Sequence, residues 1–333
     1  MREPDFWWND SALGALLSPL GALYGALTAA RMRQDGIRAG VPVICVGNLT
    51  LGGTGKTPTA IAVARQLVAN GERPVMLTRG YGGSDSGPLL VDGHSRAHAV
   101  GDEPLLLARA VPTVVARDRV AGAALAAAQK ATVIVMDDGL QNPSLRKDLA
   151  IAVVDGRRGL GNGRVFPAGP LRAPLAAQMP FVSAVLIVGA ARPACAPVID
   201  AAQARNIPVL HAALTPDADV VESLRGRLLL AFAGIGDPAK FAATLTDAGA
   251  PPQRLAAFAD HHRFTEREAA DLLAEAKAGA LQLVTTEKDL ARLTGAATPT
   301  LAQLARDAVA LPVRLTVSEP GVLAGLLRAT LNR

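Results

Sequence analysis

The amino-acid sequence predicts an α/β fold in which a largely parallel sheet is covered by helices on both faces. Three observations predict it. Short, uniformly apolar runs recur along the chain, as in strands buried on both sides. Each run is followed by a turn and an amphipathic segment, the strand–helix alternation of parallel sheets. Glycine-rich or acidic stretches fall where several runs end, and open α/β sheets bind ligands at the carboxyl ends of their strands.

The first thirty residues stand apart. Phe6, Trp7 and Trp8 precede Ser11–Ala30, a stretch without a charge. Within it Leu13, Leu16, Leu17, Leu20, Leu23, Tyr24 and Leu27 recur at helical three-four spacing and form one apolar stripe. Gly14, Ser18, Pro19, Gly21, Gly25 and Thr28 dilute the stretch as a bilayer span. Glu3, Asp5 and Asp10 argue against a cleaved signal peptide. With Arg31, Arg33 and Arg38 beyond it, the favoured reading is an amphipathic helix lying in a membrane interface. A core helix and a span are the alternatives.

"VPVICVGN" (41–48) is the first strand, and "PTAIAVARQLVANG" (58–71) the helix after it, stopped by Gly71. "RPVMLTRG" (73–80), "PTVVARDR" (112–119), "ATVIVMDDG" (131–139), "LAIAVVDG" (149–156), "SAVLIVGA" (183–190) and "IPVLHAAL" (207–214) are further strands. From Asp217 the pattern restarts. "GRLLLAFAGIGDPAKFAATLTDAG" reads as strand, glycine turn and helix, and "LQLVTTEKDLARL" as strand and helix. The expected organisation is an N-terminal helix over 1–35, counted with the first domain, a core over 36–215 and a smaller α/β domain over 216–333.

Half of the 333 residues are hydrophobic and 19% are charged, which excludes a disordered chain. The net charge of +5 suits phosphate groups or an acidic membrane surface. The composition disfavours nucleic acid as a partner, and none is expected, since aromatics are only 3% and no Lys/Arg run is long enough to track a backbone. Cys45 and Cys195 lie outside any metal-ligand spacing, which points to a reducing compartment without thiolate-bound metal.

The chemistry begins at "GNLTLGGTGKTPTA" (47–60). A strict phosphate loop has Gly, four residues, then Gly-Lys-Ser/Thr, and here Thr50 stands at the first Gly position. Gly52, Gly53 and Gly55 supply the backbone freedom, so Thr50, Leu51, Gly52, Gly53, Thr54, Gly55, Lys56 and Thr57 are the expected phosphate cradle. Lys56 reaches the β/γ-phosphates, and the Thr57 hydroxyl ligates Mg²⁺. The sheet is thus P-loop NTPase-like. Asp137 and Asp138 end a buried strand, where carboxylates are costly without a cation, and they read as acids on the Mg²⁺ side. Gln141 is a weaker candidate beside them.

"AVGDEPLLLAR" (99–109) sets Asp102 and Glu103 before a helix, as helix caps or, for Asp102, as a general base. In "FADHHRFTERE" (258–268) Asp260 either fixes a histidine tautomer or precedes a helix entry at Thr265. "FPAGPLRAP" (166–174) is an irregular loop. Arg164 and Arg172 are set there either to clamp phosphate or as solvated arginines. "TEKD" (286–289) misses the guanine-specificity spacing, because Asp289 follows Lys288 directly.

Taken in order, "GNLTLGGTGKTP", "TRGYGG", "GDEP", "MDDGLQ", "FPAGPLR", "FAGIGDPAKF", "DHHRFT" and "TTEKD" closely resemble the tetraacyldisaccharide 4'-kinase (lipid A 4'-kinase) family of Gram-negative bacteria. That family also lacks the first loop glycine, which accounts for Thr50. The resemblance implies transfer of the γ-phosphate of ATP, with Mg²⁺, to the 4'-hydroxyl of tetraacyldisaccharide 1-phosphate. It implies work at the cytoplasmic face of the inner membrane, with the lipid held near the N-terminal helix and no obligate protein partner. Lys56 and Thr57 then handle phosphates and Mg²⁺, and Asp137 and Asp138 lie on the metal side. Asp102 becomes the catalytic base, tuned by His261 rather than His262. Arg79, Tyr81 and Arg172 become substrate or phosphate contacts. One departure is Ala173, where the family usually continues "GPLR" with Glu. A membrane-attached nucleotide switch and a soluble kinase for a small metabolite are the rival readings.

Overall fold

The computed structural model describes residues 3–295 and 298–332. Its larger sheet is built from β1 (Val43–Asn48), β2 (Pro74–Thr78), β3 (Leu89–Leu90), β4 (Thr113–Val115), β5 (Val133–Asp137), β6 (Leu149–Asp155), β7 (Ala184–Val188) and β8 (Val209–Pro216). A second sheet comprises β9 (Leu229–Ala233), β10 (Arg254–Ala257), β11 (Gln282–Thr286) and β12 (Val309–Leu311), and β13 (Val313–Val317) follows. The large sheet runs β13-β8-β7-β6-β1-β5-β2-β4-β3, parallel except for its two edge strands, and the small one runs β10-β9-β11-β12, all parallel. β1, β5 and β6 are buried at every position, and side chains from both faces enter separate apolar cores. The expected α/β class and its strand–helix order are the observed ones.

The end of the chain differs from the expected division at 216–333. β13 leaves the small domain and pairs antiparallel with β8, and the helix Pro320–Leu331 buries Leu323 and Leu327 in the core of the large sheet. The large domain therefore reclaims residues 313–332. The physical reason is an alternating edge strand, Val313-Arg314-Leu315-Thr316-Val317. It lacks the uniform apolarity of the central strands and so passes unnoticed in a search for them. The two crossings between domains lie side by side. Asp217 N–H donates to Pro312 C=O at 2.9 Å, and Arg314 pairs with Asp217 at 3.1 Å.

The N-terminal helix spans Ala12–Met32, with Ser11 as its cap. Its small residues Gly14, Gly21 and Gly25 face the protein, while Leu16 is 76% and Leu23 62% exposed. Gly21 permits the contact, because a Cβ there would stand 2.6 Å from the Val165 carbonyl oxygen. The apolar stripe therefore faces away from the protein, which excludes the core-helix alternative. The indoles do not join that stripe. Trp7 is buried, donates to the Pro167 carbonyl at 3.1 Å and packs edge-on against Phe166, and Arg158 covers Trp8.

Candidate active site

β1 ends at Asn48, and the chain turns through Gly52 and Gly55, both at positive φ, into the helix Lys56–Ala69. Helix N-terminal amides and the loop thereby face one space, as an anion cradle requires. The irregular loop 164–174 fixes this turn from behind. Leu51 N–H donates to Pro170 C=O at 2.7 Å, Arg172 N–H to Leu49 C=O at 2.9 Å, and Arg172 Nε to Thr50 C=O at 3.1 Å. These bonds aim the Arg172 guanidinium at Asp138, 2.9 Å away, while Lys56 approaches the same carboxylate at 3.8 Å.

Asp137 and Asp138 close β5, directly beside the loop strand β1. The environments of the two acids pull apart. Asp138 is desolvated, but Lys56 and Arg172 override that and lower it to about 2. Asp137 is only 1% exposed, and burial, with Glu103 and Asp138 nearby, pushes it up to about 7. The Oδ1 atoms of both acids, with the Thr54 hydroxyl, are buried without a hydrogen-bond partner. Orphaned oxygens at the end of a strand are what a hard cation with oxygen ligands would satisfy.

A cavity of about 1550 Å³ opens over the loop and is lined from both domains. The first domain supplies Leu51–Thr57, Tyr81, Glu103, Asp138 and Arg172. The second supplies Asp260, His261, Thr286 and Lys288. Across the cleft His261 Nδ1 lies 3.2 Å from Asp102 Oδ1, and the His261 ring leans on Tyr81 with centroids 5.1 Å apart. His261 has φ +55°, an uncommon conformation for a residue other than glycine and one often met at functional sites. The Asp102 hydrogen bond raises the histidine's pKa above its ordinary value.

This constellation has relatives. The family model described as tetraacyldisaccharide-1-P 4'-kinase matches residues 13–332. The chain belongs to that family. It is 54% identical to a tetraacyldisaccharide 4'-kinase of Rhodopseudomonas palustris (strain BisB5), over 100% of this chain and 98% of that protein. It is 55% identical to one of Methylobacterium sp. (strain 4-46), over 99% and 97%. A crystal structure of LpxK from Aquifex aeolicus in complex with ATP matches with a TM-score of 0.73 and 25% identity, over 96% of this chain and 99% of that one.

Not every expected residue of this family member faces the cavity. Lys56, Thr57, Asp138, Tyr81, Arg172 and His261 do. Thr50 lies behind the loop, bridged to Leu171. Arg79 is exposed but absent from the lining. Gln141, expected among the substrate contacts, spends its amide on Asn48 C=O and Gln178, both at 2.8 Å, and so supports the loop. Ala173 is fully buried, and its carbonyl accepts from Gln178 Nε2 at 2.6 Å. Asp102 is 4% exposed and sits behind His261.

Four residues of the site escaped the sequence reading. Arg119 is buried near Asp137 and Asp138. Lys288 meets Glu103 at 2.5 Å, and Arg292 reaches Asp102 from the second domain. The Glu3 carboxylate packs on Gly52 of the phosphate loop while pairing with Arg158. "TEKD" gave a signal for Lys288, a motif with no assigned task. Nothing local marked the others.

Proposed function

We propose that the chain transfers the γ-phosphate of ATP to the 4'-hydroxyl of tetraacyldisaccharide 1-phosphate in lipid A biosynthesis, at the cytoplasmic face of the inner membrane. One observation carries the reading: a single cavity joins a phosphate loop to the histidine of an acid–histidine pair on the facing domain. Loop amides and Lys56 hold the phosphates, and Arg172 adds a second fixed cation beside Asp138. Thr57, Asp137 and Asp138 form an oxygen donor set that fits Mg²⁺, as the orphaned Oδ1 atoms indicate. When bound, Mg²⁺ would supply positive charge that offsets the negative charge of the phosphates. The Asp102–His261 pair takes the proton of the attacking hydroxyl.

The lipid side of the reading rests on the N-terminal helix. Its exposed leucines form an unbroken apolar face beside the loop residue Phe166, and Leu17, Trp7 and Phe166 also line the cavity. An acyl chain leaving the bilayer surface there meets apolar side chains from interface to site. Transfer of label from γ-labelled ATP to detergent-dispersed tetraacyldisaccharide 1-phosphate tests the proposal. The lipid is expected to be labelled by the native chain and not by Lys56→Ala. Label found only as free phosphate, with or without lipid, would refute the kinase reading in favour of a nucleotide switch.

A further inference from the structure

One carboxylate lies on the phosphate loop without a task in the transfer. Glu3 has a side chain only 13% exposed, and its Oε1 lies so close to Gly52 that a Cβ there would overlap it. Its Oε2 pairs with Arg158. Glu3 and Arg158 line the cavity together with the loop residues Gly52 and Lys56. A carboxylate thus bridges a guanidinium and a phosphate-loop glycine, where a phosphate would find the same partners.

Arg158 keeps its place without Glu3. The Asp155 carboxylate accepts the N–H groups of Arg157 at 2.8 Å and of Arg158 at 3.3 Å, which fixes the turn after β6. The guanidinium lies over Trp8, 4.6 Å from the ring centroid, and its Nη2 meets Asp237 Oδ2 of the second domain at 3.1 Å. Asp237 is the acid of "FAGIGDPAKF". It caps the helix Pro238–Asp247, whose Lys240 pairs back across the cleft with Asp155 at 3.1 Å. The motif therefore presents Arg158 to the loop from the facing domain.

Glu3 is held far less firmly. From Phe6 onward its segment is anchored, since Asn162 donates to the carbonyls of Phe6 at 3.1 Å and Trp7 at 2.8 Å. Among the described residues, the Arg158 pair is the one hydrogen bond that Glu3 makes. Burial also works against its charge. It raises the carboxyl above its ordinary value although Arg158 pulls the other way, and Asp260 and Asp237 add to the rise.

We propose that Glu3 is a tethered competitor of the nucleotide phosphates: it covers Gly52 and neutralises Arg158, and the phosphates of ATP displace it and take Arg158 over as a binding residue. This rests on the ATP site proposed above and not on the lipid acceptor. No covalent bond changes. One ion pair of Arg158 is exchanged for another, and Asp237 holds the guanidinium at the cleft meanwhile.

Calorimetric titration of the full chain with ATP and Mg²⁺, without lipid, tests this on Glu3→Gln, Glu3→Ala, Arg158→Ala and the double variant Glu3→Gln/Arg158→Ala. Glu3→Gln is expected to tighten ATP binding roughly 3- to 10-fold, as for a loop that the competitor leaves uncovered about 10–30% of the time. Glu3→Ala moves the same way. On the Glu3→Gln background, Arg158→Ala is expected to weaken ATP roughly 10-fold, the loss of a charge-assisted hydrogen bond. On the Arg158→Ala background, Glu3→Gln is expected to gain at most about twofold, because Glu3 without its partner no longer stays on the loop.

Weaker or unchanged ATP binding in both Glu3 variants, with urea midpoints near the native value, would make Glu3 a brace for Arg158 or a bystander and overturn the proposal. So would an equal gain on both backgrounds, which would leave plain charge repulsion and no role for Arg158. Because the titration contains no lipid, its result stands even if the acceptor is another molecule. A native chain that bound no ATP would instead refute the nucleotide site itself.

Discussion

Asp137 and Asp138 are neighbours with opposite electrostatic fates, and the difference is measurable. Asp138 gains Lys56 and Arg172, so its contribution to stability is present above the unfolded pKa of about 4 and is lost as pH falls toward 2. Asp137 gains burial without a partner, so its sign is reversed. Its stabilising protonated form is fully present below pH 4 and is lost as pH rises through about 7. Asp137→Asn should therefore stabilise the protein at pH 8 with divalent cations chelated, by at most about 4 kcal/mol, and have little effect at about pH 4. Urea midpoints at the two pH values decide it, and an Asn variant no more stable at pH 8 would mean that Asp137 is compensated within the protein. Adding Mg²⁺ and ATP should stabilise the native chain more than the variant. These acids were legible in the sequence because a strand ending in two carboxylates is a local anomaly. Arg292 was not, because it meets its carboxylate partner 190 residues away, and no local pattern encodes such a pairing.

At the scale of elements the N-terminal helix shows how a correct period can leave a direction open. The leucines recur as a helix demands, but the spacing does not say whether they face the protein or leave it. The glycines decide, since at Gly21 the helix backbone comes too close to the Val165 carbonyl to admit a Cβ. Gly21→Leu should destabilise the protein by about 2 kcal/mol or more through overpacking, read as a lower denaturant midpoint. Leu16→Glu with Leu20→Glu, at exposed positions, should leave the midpoint nearly unchanged. The same pair should abolish co-sedimentation with phospholipid vesicles, to which the native chain is expected to bind. Retained vesicle binding by that double variant would remove the leucine face from the membrane contact. The loop 164–174 was read as irregular from its glycines and prolines. Its work as the support that sets the phosphate turn and aims Arg172 came from backbone bonds that composition does not reveal.

For the molecule as a whole, the chain's return to the large sheet matters most. The small domain has its own cores, one on each face of its sheet, built from residues between Val220 and Ala308 with Val309 and Leu311 of β12. The large domain is incomplete without the chain's end. β13 covers the edge of β8, and Leu323 and Leu327 pack in the core shared by Ile44, Val46 and Val63. Fully burying two leucines stabilises by roughly 3–6 kcal/mol, a large share of the 5–15 kcal/mol typical of a domain. Residues 217–312 alone are therefore expected to fold, and residues 1–312 to lose much or all of the large domain's stability while the small domain persists. Two transitions in thermal unfolding, with only the one belonging to the large domain collapsing on truncation at 312, would bear this out. A 1–312 chain that kept its large-domain transition would place the boundary back near 216, as the sequence pattern suggested. The topology also gives the site its geometry. Both crossings, at 216–217 and 312–313, run side by side and are tied by Arg314 and Asp217, so the domains are joined at one edge. Asp102 and His261 come from opposite sides of that join, and Arg292 reaches across it, so the orientation of one domain on the other sets the geometry of the acid–histidine pair.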